Sequence, residues 1–255
     1  MNRLSAERRT AVIQALVEGN SIRATCRMTG MAKDTVLSLL AQIGEACWRF
    51  HSQTVRSLKA KRIQCDEIWS FTYAKARNLP DELYGKKGFG DTWTWVGIDA
   101  DSKLAVSWLV GDRDAEAGLV FLRDLASRLS GRVQLTSDGH NAYLTAVEGA
   151  FGWNGVDFAM VVKLFGPGLE TDRGYSPPTC TGMKKIWVMG KPVEKDISTS
   201  FVERQNLTMR MQMRRFTRLT NAFSKKVENH AHAVALHFLH YNFCRPHHQK
   251  AANSN

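Results

Sequence analysis

Apolar residues in the first fifty positions recur at helical spacing, on one face of each of two helices: Val12, Ile13, Leu16 and Val17 in the first, and Val36, Leu37, Leu40 and Ile43 in the other. Ser5 can cap the first helix, and Ser21 can cap a short helix that lies between the two. A tight turn at Gly30 completes a helix-turn-helix pattern. A plain three-helix bundle has the same spacing, so the pattern alone leaves both interpretations open.

From Ile63 onward the periodicity changes to that of strands alternating with helices. The predicted strands cover residues 63–71, 92–98, 103–110, 132–136 and 158–164. The second and third form a hairpin whose turn holds Asp99 and Asp101, which are predicted turn formers. One helix begins after Asp114 and another carries Tyr143, and these helices separate the later strands. The order predicts a mixed α/β sheet flanked by helices.

The segment from residue 166 to 197 interrupts this pattern. Residues 166–192 hold four of the six prolines and five glycines, which argues against a long helix and predicts an inserted loop region or small lobe. A long helix is predicted to begin at Ser198–Ser200. The stretch from there to Lys226 has one acid, Glu203, and seven basic residues: Arg204, Arg210, Arg214, Arg215, Arg218, Lys225 and Lys226. Because no acids alternate with these cations, we interpret them as a DNA-facing surface rather than a solvated face.

The charge balance favours a nucleic-acid partner. The chain has 35 Lys and Arg against 24 Asp and Glu, a net charge of +11. Arg23, Arg27 and Lys33 flank the predicted turn at Gly30, where phosphate contacts are expected, and this favours DNA binding over a plain bundle.

These patterns divide the chain into a helix-turn-helix domain at 1–55, a linker at 56–62 and an α/β domain at 63–255. The linker holds four basic residues, including Arg56, and can either follow phosphates or act as a solvated connector. Five scattered cysteines predict reduced thiols in a cytosolic protein. The N-terminus lacks the apolar core of a secretory signal, and no apolar run reaches membrane-spanning length.

Three acids are candidates for chemistry: Asp66 in the first strand, Asp138 just after a later strand, and Glu203 at the start of the basic helix. Each also has a structural interpretation. Asp66 can be satisfied by backbone N–H groups, Asp138–Gly139 makes a good turn, and Ser200 with Glu203 makes a good capping box. Asp66 is followed by Glu67, and neighbouring strand residues point to opposite faces, so we expect only one of the two to line a given site. A carboxylate in a buried strand needs a positive partner, either an arginine or a divalent metal.

Four stretches of the sequence resemble motifs of DDE transposases, and most closely those of the IS1 family of bacterial insertion sequences. They are Cys-Asp-Glu-Ile-Trp around Asp66, Thr-Ser-Asp-Gly-His-Asn-Ala-Tyr around Asp138, Ser-Phe-Val-Glu-Arg-Gln-Asn around Glu203, and the tail Tyr-Asn-Phe-Cys-Arg-Pro-His that begins at Tyr241. The resemblance implies an RNase H-like fold from about residue 60. It also implies that Asp66, Asp138 and Glu203 form a metal-binding catalytic triad, and that an N-terminal helix-turn-helix binds the ends of the element.

The chemistry of phosphodiester cleavage agrees with such a triad. Two divalent cations can stabilise the attacking and leaving oxygens, and hard cations such as Mg²⁺ or Mn²⁺ prefer carboxylate ligands. The expected partners are double-stranded DNA, as terminal inverted repeats and as target, and by analogy a second copy of the chain in a homodimer. The expected localisation is the bacterial cytoplasm, with the nucleoid. Similar proteins continue past the His247 region, whereas this sequence stops at Asn255, which suggests a truncation or a frame shift.

Two other functions agree with parts of the sequence. One is a DNA-binding regulator with an inert RNase H-like core, although the presence of all three acids argues against it. The other is a recombinase that uses Tyr241 as its nucleophile beside Arg245 and His247. That enzyme would form a covalent phosphotyrosine link to DNA, whereas a metal-dependent transposase would not.

Overall fold

A six-stranded sheet forms the centre of the molecule. The computed structural model describes residues 4–152, 155–166 and 180–245. The strands are β1 (Arg62–Thr72), β2 (Gly90–Asp99), β3 (Ala105–Gly111), β4 (Val133–Asp138), β5 (Val156–Phe165) and β6 (Cys180–Met189). The helices are α1 (Ala6–Val17), α2 (Ile22–Thr29), α3 (Lys33–Thr54), α4 (Ala115–Arg128), α5 (Ala142–Phe151), α6 (Ser200–Gln212) and α7 (Val227–Leu239).

The sheet has the strand order β3-β2-β1-β4-β5-β6 and is mixed. β1 pairs antiparallel with β2 and parallel with β4, and β5 continues parallel to β4. The two outer strands, β3 and β6, are antiparallel to their neighbours. This confirms the predicted mixed α/β class, and the arrangement is consistent with an RNase H-like fold. It also brings the carboxyl ends of β1 and β4 close together.

Each face of the sheet is covered by its own apolar cluster. Cys65 packs with Phe121 of α4 and Tyr143 of α5 on one face. Ile68 packs with Val202 of α6 and Phe238 of α7 on the other. Successive residues of β1 alternate between these clusters, as the pleat requires. Hence α6 covers the same face of the sheet as the even-numbered residues of β1.

The first two N-terminal helices begin where their predicted caps lie. The Ser5 and Ser21 side chains accept hydrogen bonds from the N–H groups of Arg8 and Ala24. Gly30 ends α2 in the left-handed region, at φ 65°. Helix α3 runs to Thr54, and its residues Leu40 and Cys47 belong to the same apolar cluster as Phe238 of α7. The domain boundary at residue 55 therefore stays a prediction. Helix α3, before this boundary, and helix α7, after it, contribute to the same apolar core.

One glycine shows how closely α3 approaches α7. A Cβ added to Gly44 would lie 2.4 Å from Cβ of His232 and 2.6 Å from its Cα. Any side chain at this position would push the two helix backbones apart. Gly44 therefore lets α3 pack directly on α7.

The structure corrects two predicted elements. The predicted long helix from Ser198 is shorter, because α6 ends at Gln212 and a 3-10 turn follows at Arg214–Phe216. The predicted loop region at 166–197 contains the edge strand β6, which pairs with β5; residues 167–179 of that region lie outside the described ranges.

No helix in residues 4–152, 155–166 and 180–245 is long and apolar enough to cross a bilayer.

Candidate metal centre

Asp66 and Asp138 lie side by side at the carboxyl ends of two parallel strands. Cys65 of β1 pairs with Ser137 of β4, and each acid is the next residue along its strand. Paired residues of parallel strands point to the same face, so the two carboxylates share the face opposite Cys65. The Asn206 side chain of α6 donates from Nδ2 to Oδ2 of Asp66 at 2.9 Å, which places α6 over this pair.

Glu67 joins the two aspartates, contrary to the expectation that only one of Asp66 and Glu67 lines a site. Carboxylate oxygens of Asp66, Glu67 and Asp138 all lie within 4.8 Å of one another. The reason is that β4 ends at Asp138, so β1 has no strand neighbour on this side beyond Cys65. A long side chain from the other face can therefore reach the gap.

Glu203 lies on the first turn of α6, close enough for its charge to raise the pKa of Asp66. It is not part of the set of three acids that lie within 4.8 Å of one another. Its Oε1 lies 2.9 Å from Nζ of Lys163 and accepts a 2.6 Å hydrogen bond from the Thr199 hydroxyl. The capping-box interpretation of Glu203 is wrong, because the Ser200 N–H donates to Oγ of Ser198 instead.

The acids repel one another strongly. Burial, together with the charges of Asp138, Glu67 and Glu203, raises the pKa of Asp66 to about 7. Burial and the charge of Asp138 also raise the pKa of Glu67, against the lowering effect of Tyr143 and Arg113. These shifts have the same physical cause, which is an excess of negative charge in a poorly solvated gap.

Arg113 contacts two of these acids, and no pattern in the sequence predicted it. Its Nε lies 3.0 Å from Oε2 of Glu67, and its Nη2 lies 3.5 Å from Oδ2 of Asp138. It lies in the loop between β3 and α4, next to the helix cap Asp114. Asn206 was also missed, although its position three residues after Glu203 on a helix could have indicated a shared face.

The basic residues predicted to bind DNA fall into two groups. Most are exposed: Arg23, Arg27, Lys33, Arg56, Arg204, Arg210, Arg214 and Arg218. Arg56 is tied to Oγ of Ser127 and to the carbonyl of Ser52. Arg215 is different, because its Nη1 donates to Oγ of Ser224 and the carbonyl of Asn229, and burial lowers its pKa to about 10. Arg215 therefore stabilises the fold.

The side chain of Tyr241 has a structural position. It is 8 % exposed, and its hydroxyl donates to the carbonyl of Lys103 at 3.1 Å. Burial raises its pKa. Its predicted companion His247 lies outside the described residues.

Comparisons with known proteins give little beyond this geometry. Neither a protein-family model nor a curated protein sequence matches the chain. Among solved structures, one similar chain comes from a structure described as "Crystal structure of the Mos1 Strand Transfer Complex". The two chains are 12% identical, with a TM-score of 0.33, over 94% of this chain and 77% of the other. A likeness of this degree assigns neither a family nor an activity.

Proposed function

We propose that this protein is a metal-dependent DNA transposase of the DDE type, in which Asp66, Asp138 and Glu203 hold divalent cations. The observation that carries the proposal is that Asp66 and Asp138 lie side by side at the carboxyl ends of adjacent parallel strands, with Glu203 on the helix over the same face. The likeness of their three surrounding motifs to those of IS1-family transposases supports the same assignment.

The charges and donor atoms of the cluster fit a hard cation. Four carboxylates, those of Asp66, Glu67, Asp138 and Glu203, meet two side-chain cations, Arg113 and Lys163. The two remaining negative charges match one divalent cation, and carboxylate oxygens are the ligands that Mg²⁺ and Mn²⁺ prefer. A second cation would be completed by phosphate oxygens of the substrate.

Glu203 is a better third ligand than Glu67 because of its access to solvent and DNA. The Glu203 side chain is 37% exposed, whereas that of Glu67 is 1% exposed. Glu67 reaches the gap from the other face and is bound to Arg113. We assign Glu67 as a positioning residue that fixes Arg113 beside Asp138. Lys163 holds the Glu203 carboxylate near the centre, through a contact at the surface that water weakens.

The reaction is direct phosphoryl transfer in two steps. Water attacks a phosphorus at the element end, the P–O3′ bond breaks, and a 3′-hydroxyl and a 5′-phosphate result. That 3′ oxygen then bonds to a phosphorus of target DNA and displaces the target's own 3′ oxygen. When bound, the cations lower the pKa of the attacking water or hydroxyl and stabilise the charge on the leaving oxygen.

Neighbouring residues hold the ligands in place. Asn206 orients Asp66, and the N–H of His140 donates to Oδ1 of Asp138 at 3.0 Å. On the N-terminal helices, Arg23, Arg27 and Lys33 are the proposed contacts to element ends, with the exposed arginines of residues 204–218 along the DNA path. Two copies of the chain would act on the two ends together.

The test is Mg²⁺-dependent nicking of duplex DNA that carries the sequences flanking the gene. We expect Asp66→Asn, Asp138→Asn and Glu203→Gln to fold normally, to keep DNA binding and to lose nicking by about 10³-fold or more. Double variants should be little worse than single ones, because the three residues act as one site. Glu67→Gln should lose less activity than Glu203→Gln.

The matched control is Glu116→Gln. This change removes the carboxylate of an exposed ion pair between Lys87 and Glu116, far from the acids in sequence. It should nick like the wild type. Wild-type nicking by folded Glu203→Gln protein would disprove the triad. If Glu67→Gln lost nicking and Glu203→Gln kept it, Glu67 rather than Glu203 would be the third metal ligand.

The same assay separates the two rival functions. An inert regulator would bind DNA and nick none of it. A tyrosine recombinase would leave protein covalently attached to DNA and would depend on Tyr241. The buried, hydrogen-bonded hydroxyl of Tyr241 argues against that role.

A further inference from the structure

A groove lined by aromatic and basic side chains lies beside the acid cluster. Its walls are Trp69, Lys75, Trp93, Arg210, Phe216 and Arg218, and its volume is ≈ 380 Å³. This volume is in the range of sites that bind small ligands. A second hollow shares Lys75 and Arg218 and continues past Phe71 to Asn221. Together the two hollows form a path that leads away from the acids.

The aromatic wall is a cross-strand pair. Trp69 of β1 lies directly opposite Trp93 of β2, so both rings stand on the same face of the sheet. Both side chains are partly exposed, whereas Phe216 is 1% exposed and forms the floor. Large, partly exposed indole rings side by side are unusual on a surface without a binding role.

The rim of the groove is positive. Arg210 and Arg218 are exposed, and within residues 4–152, 155–166 and 180–245 no acidic side chain forms an ion pair with either. Nζ of Lys75 lies 5.7 Å from the centre of the Trp69 ring and 5.9 Å from that of Phe71. Cations interleaved with aromatic rings suit a ligand that has both phosphates and flat bases.

Arg113 connects the groove to the acid cluster. Its guanidinium carbon lies 4.6 Å from the centre of the Trp93 ring, while its nitrogens contact Glu67 and Asp138. Glu67 and Trp69 are two residues apart on the same face of β1. Glu67 belongs to the group of acids, so these acids and the two tryptophans are neighbours along β1.

We propose that this groove binds unpaired nucleotides of the DNA strand at the acid cluster, with bases stacked on Trp69 and Trp93 and phosphates bound by Lys75, Arg210 and Arg218. The inference deepens the proposed function, on which it rests for the DNA itself. A base paired in a duplex has its faces covered by its neighbours and cannot stack on an indole ring. The groove therefore selects DNA whose strand is frayed or single next to the cut.

The experiment measures binding without cleavage, with the full chain in EDTA. The probes are a blunt duplex and the same duplex with a four-nucleotide unpaired tail, made with the tail at either the 3′ or the 5′ end. A 2-aminopurine in the tail reports stacking through its fluorescence. For the wild type we expect one tailed probe to bind at least about 10-fold more tightly than the blunt one, with quenched 2-aminopurine.

Trp69→Leu should lose the advantage of the tail and the quenching, while binding of the blunt duplex stays the same. The matched control is Trp187→Leu, because Trp187 is 60% exposed on β6, which β4 and β5 separate from β1. Arg218→Gln keeps the test decisive if Trp69→Leu does not fold. It should weaken tailed binding several-fold and lower the salt dependence of tailed binding by about 0.7 in log–log slope.

Two results would contradict the proposal that this groove binds unpaired nucleotides. One is equal affinity for blunt and tailed probes in the wild type. The other is an equal loss for both probes in folded Trp69→Leu protein. Failure of the proposed function would give a different result. In that case the wild type would not nick DNA, although both it and Asp66→Asn would still bind the tailed probe more tightly. The groove would then bind unpaired nucleotides without the metal chemistry.

Discussion

Two clusters of charged residues lie near opposite ends of α4, and they differ in how completely their charges are paired. At the C-terminal end of α4, Arg128 is 3% exposed and donates to both oxygens of Asp124, at 2.7 and 3.0 Å, and to the carbonyl of Val55. Near its N-terminal end, Asp66, Glu67, Asp138 and Glu203 meet two side-chain cations among the described residues, Arg113 and Lys163.

The paired cluster joins parts of the chain that are far apart in sequence. Ser107 of β3 also donates to Asp124, and Nε2 of His51 lies 3.0 Å from the carbonyl of Ala105. Its positive and negative groups therefore satisfy one another, and α3, β3 and α4 are held together. Among the described residues, the acid cluster has four carboxylates and two side-chain cations, so part of its charge stays unpaired. Charge that is paired within the protein stabilises the fold, whereas charge that is left unpaired among the acids is available to a ligand.

The largest expected effect is on stability, from opposite changes in the two clusters. Arg128→Met removes the buried cation from Asp124, which keeps its hydrogen bond from the Ser107 hydroxyl, and should lower the free energy of unfolding by about 3 kcal/mol. Asp66→Asn removes repulsion and should leave the free energy of unfolding unchanged or raise it. Chemical denaturation measures both. Arg49→Met, which breaks an exposed pair with Glu45, is the control and should cost about 0.3–0.5 kcal/mol. A stable Arg128→Met protein would show that the cluster is not structural.

A smaller effect should follow from adding metal. Of the two clusters, the one formed by the acids has more negative than positive side chains among the described residues, so Mn²⁺ or Mg²⁺ at 100 times its dissociation constant should stabilise the wild type by about 2.7 kcal/mol. In a chain of this size that raises the melting temperature by roughly 2–4 °C per kcal/mol. Asp66→Asn and Asp138→Asn should lose this response, whereas Arg49→Met should keep it. An equal shift in all four proteins would mean that the metal binds elsewhere.

The smallest effect concerns pH and the paired cluster. Burial, with help from the charge of Arg128, lowers the pKa of His51 to about 4. In the unfolded chain its pKa is about 6.5, so its contribution to stability is complete above about pH 6.5 and is lost as pH falls toward 4. Between pH 7 and pH 5.5 the wild type should lose about 1 kcal/mol more than His51→Gln. Urea denaturation at the two pH values measures the difference, and parallel losses would contradict it.

Local signals were enough to predict most of the fold. The caps at Ser5, Ser21 and Asp114 lie where the sequence placed them, because a cap depends on residues only three positions apart. The strand predicted at 63–71 is β1, one residue longer at each end. The end of the basic helix was not predicted, because Met213 is extended so that Phe216 can pack against the sheet core. No signal close to Met213 in the sequence encodes that contact.

The candidate site was predicted only in part, for a related reason. Asp66 and Asp138 follow from strand order, which the sequence pattern already contains. Glu67 was excluded by strand alternation, which holds within a strand but says nothing about where the neighbouring strand stops. Arg113 comes from a loop, and no periodicity links it to the acids it contacts. β6 was hidden by the prolines and glycines of the segment around it.

The helix α3, which packs on α7 at Gly44, is also a rigid element of defined length. A helix of 22 residues is about 33 Å long, since each residue adds about 1.5 Å. One end of α3 follows the turn at Gly30, and the other is held at His51 to β3. B-form DNA rises about 3.4 Å per base pair, so this rigid rod corresponds to roughly ten base pairs, about one turn of the double helix. Because α3 is held to α7 at Gly44 and to β3 at His51, it fixes the position of the Gly30 turn relative to the sheet, and deletion of one helical turn from α3 would break these contacts.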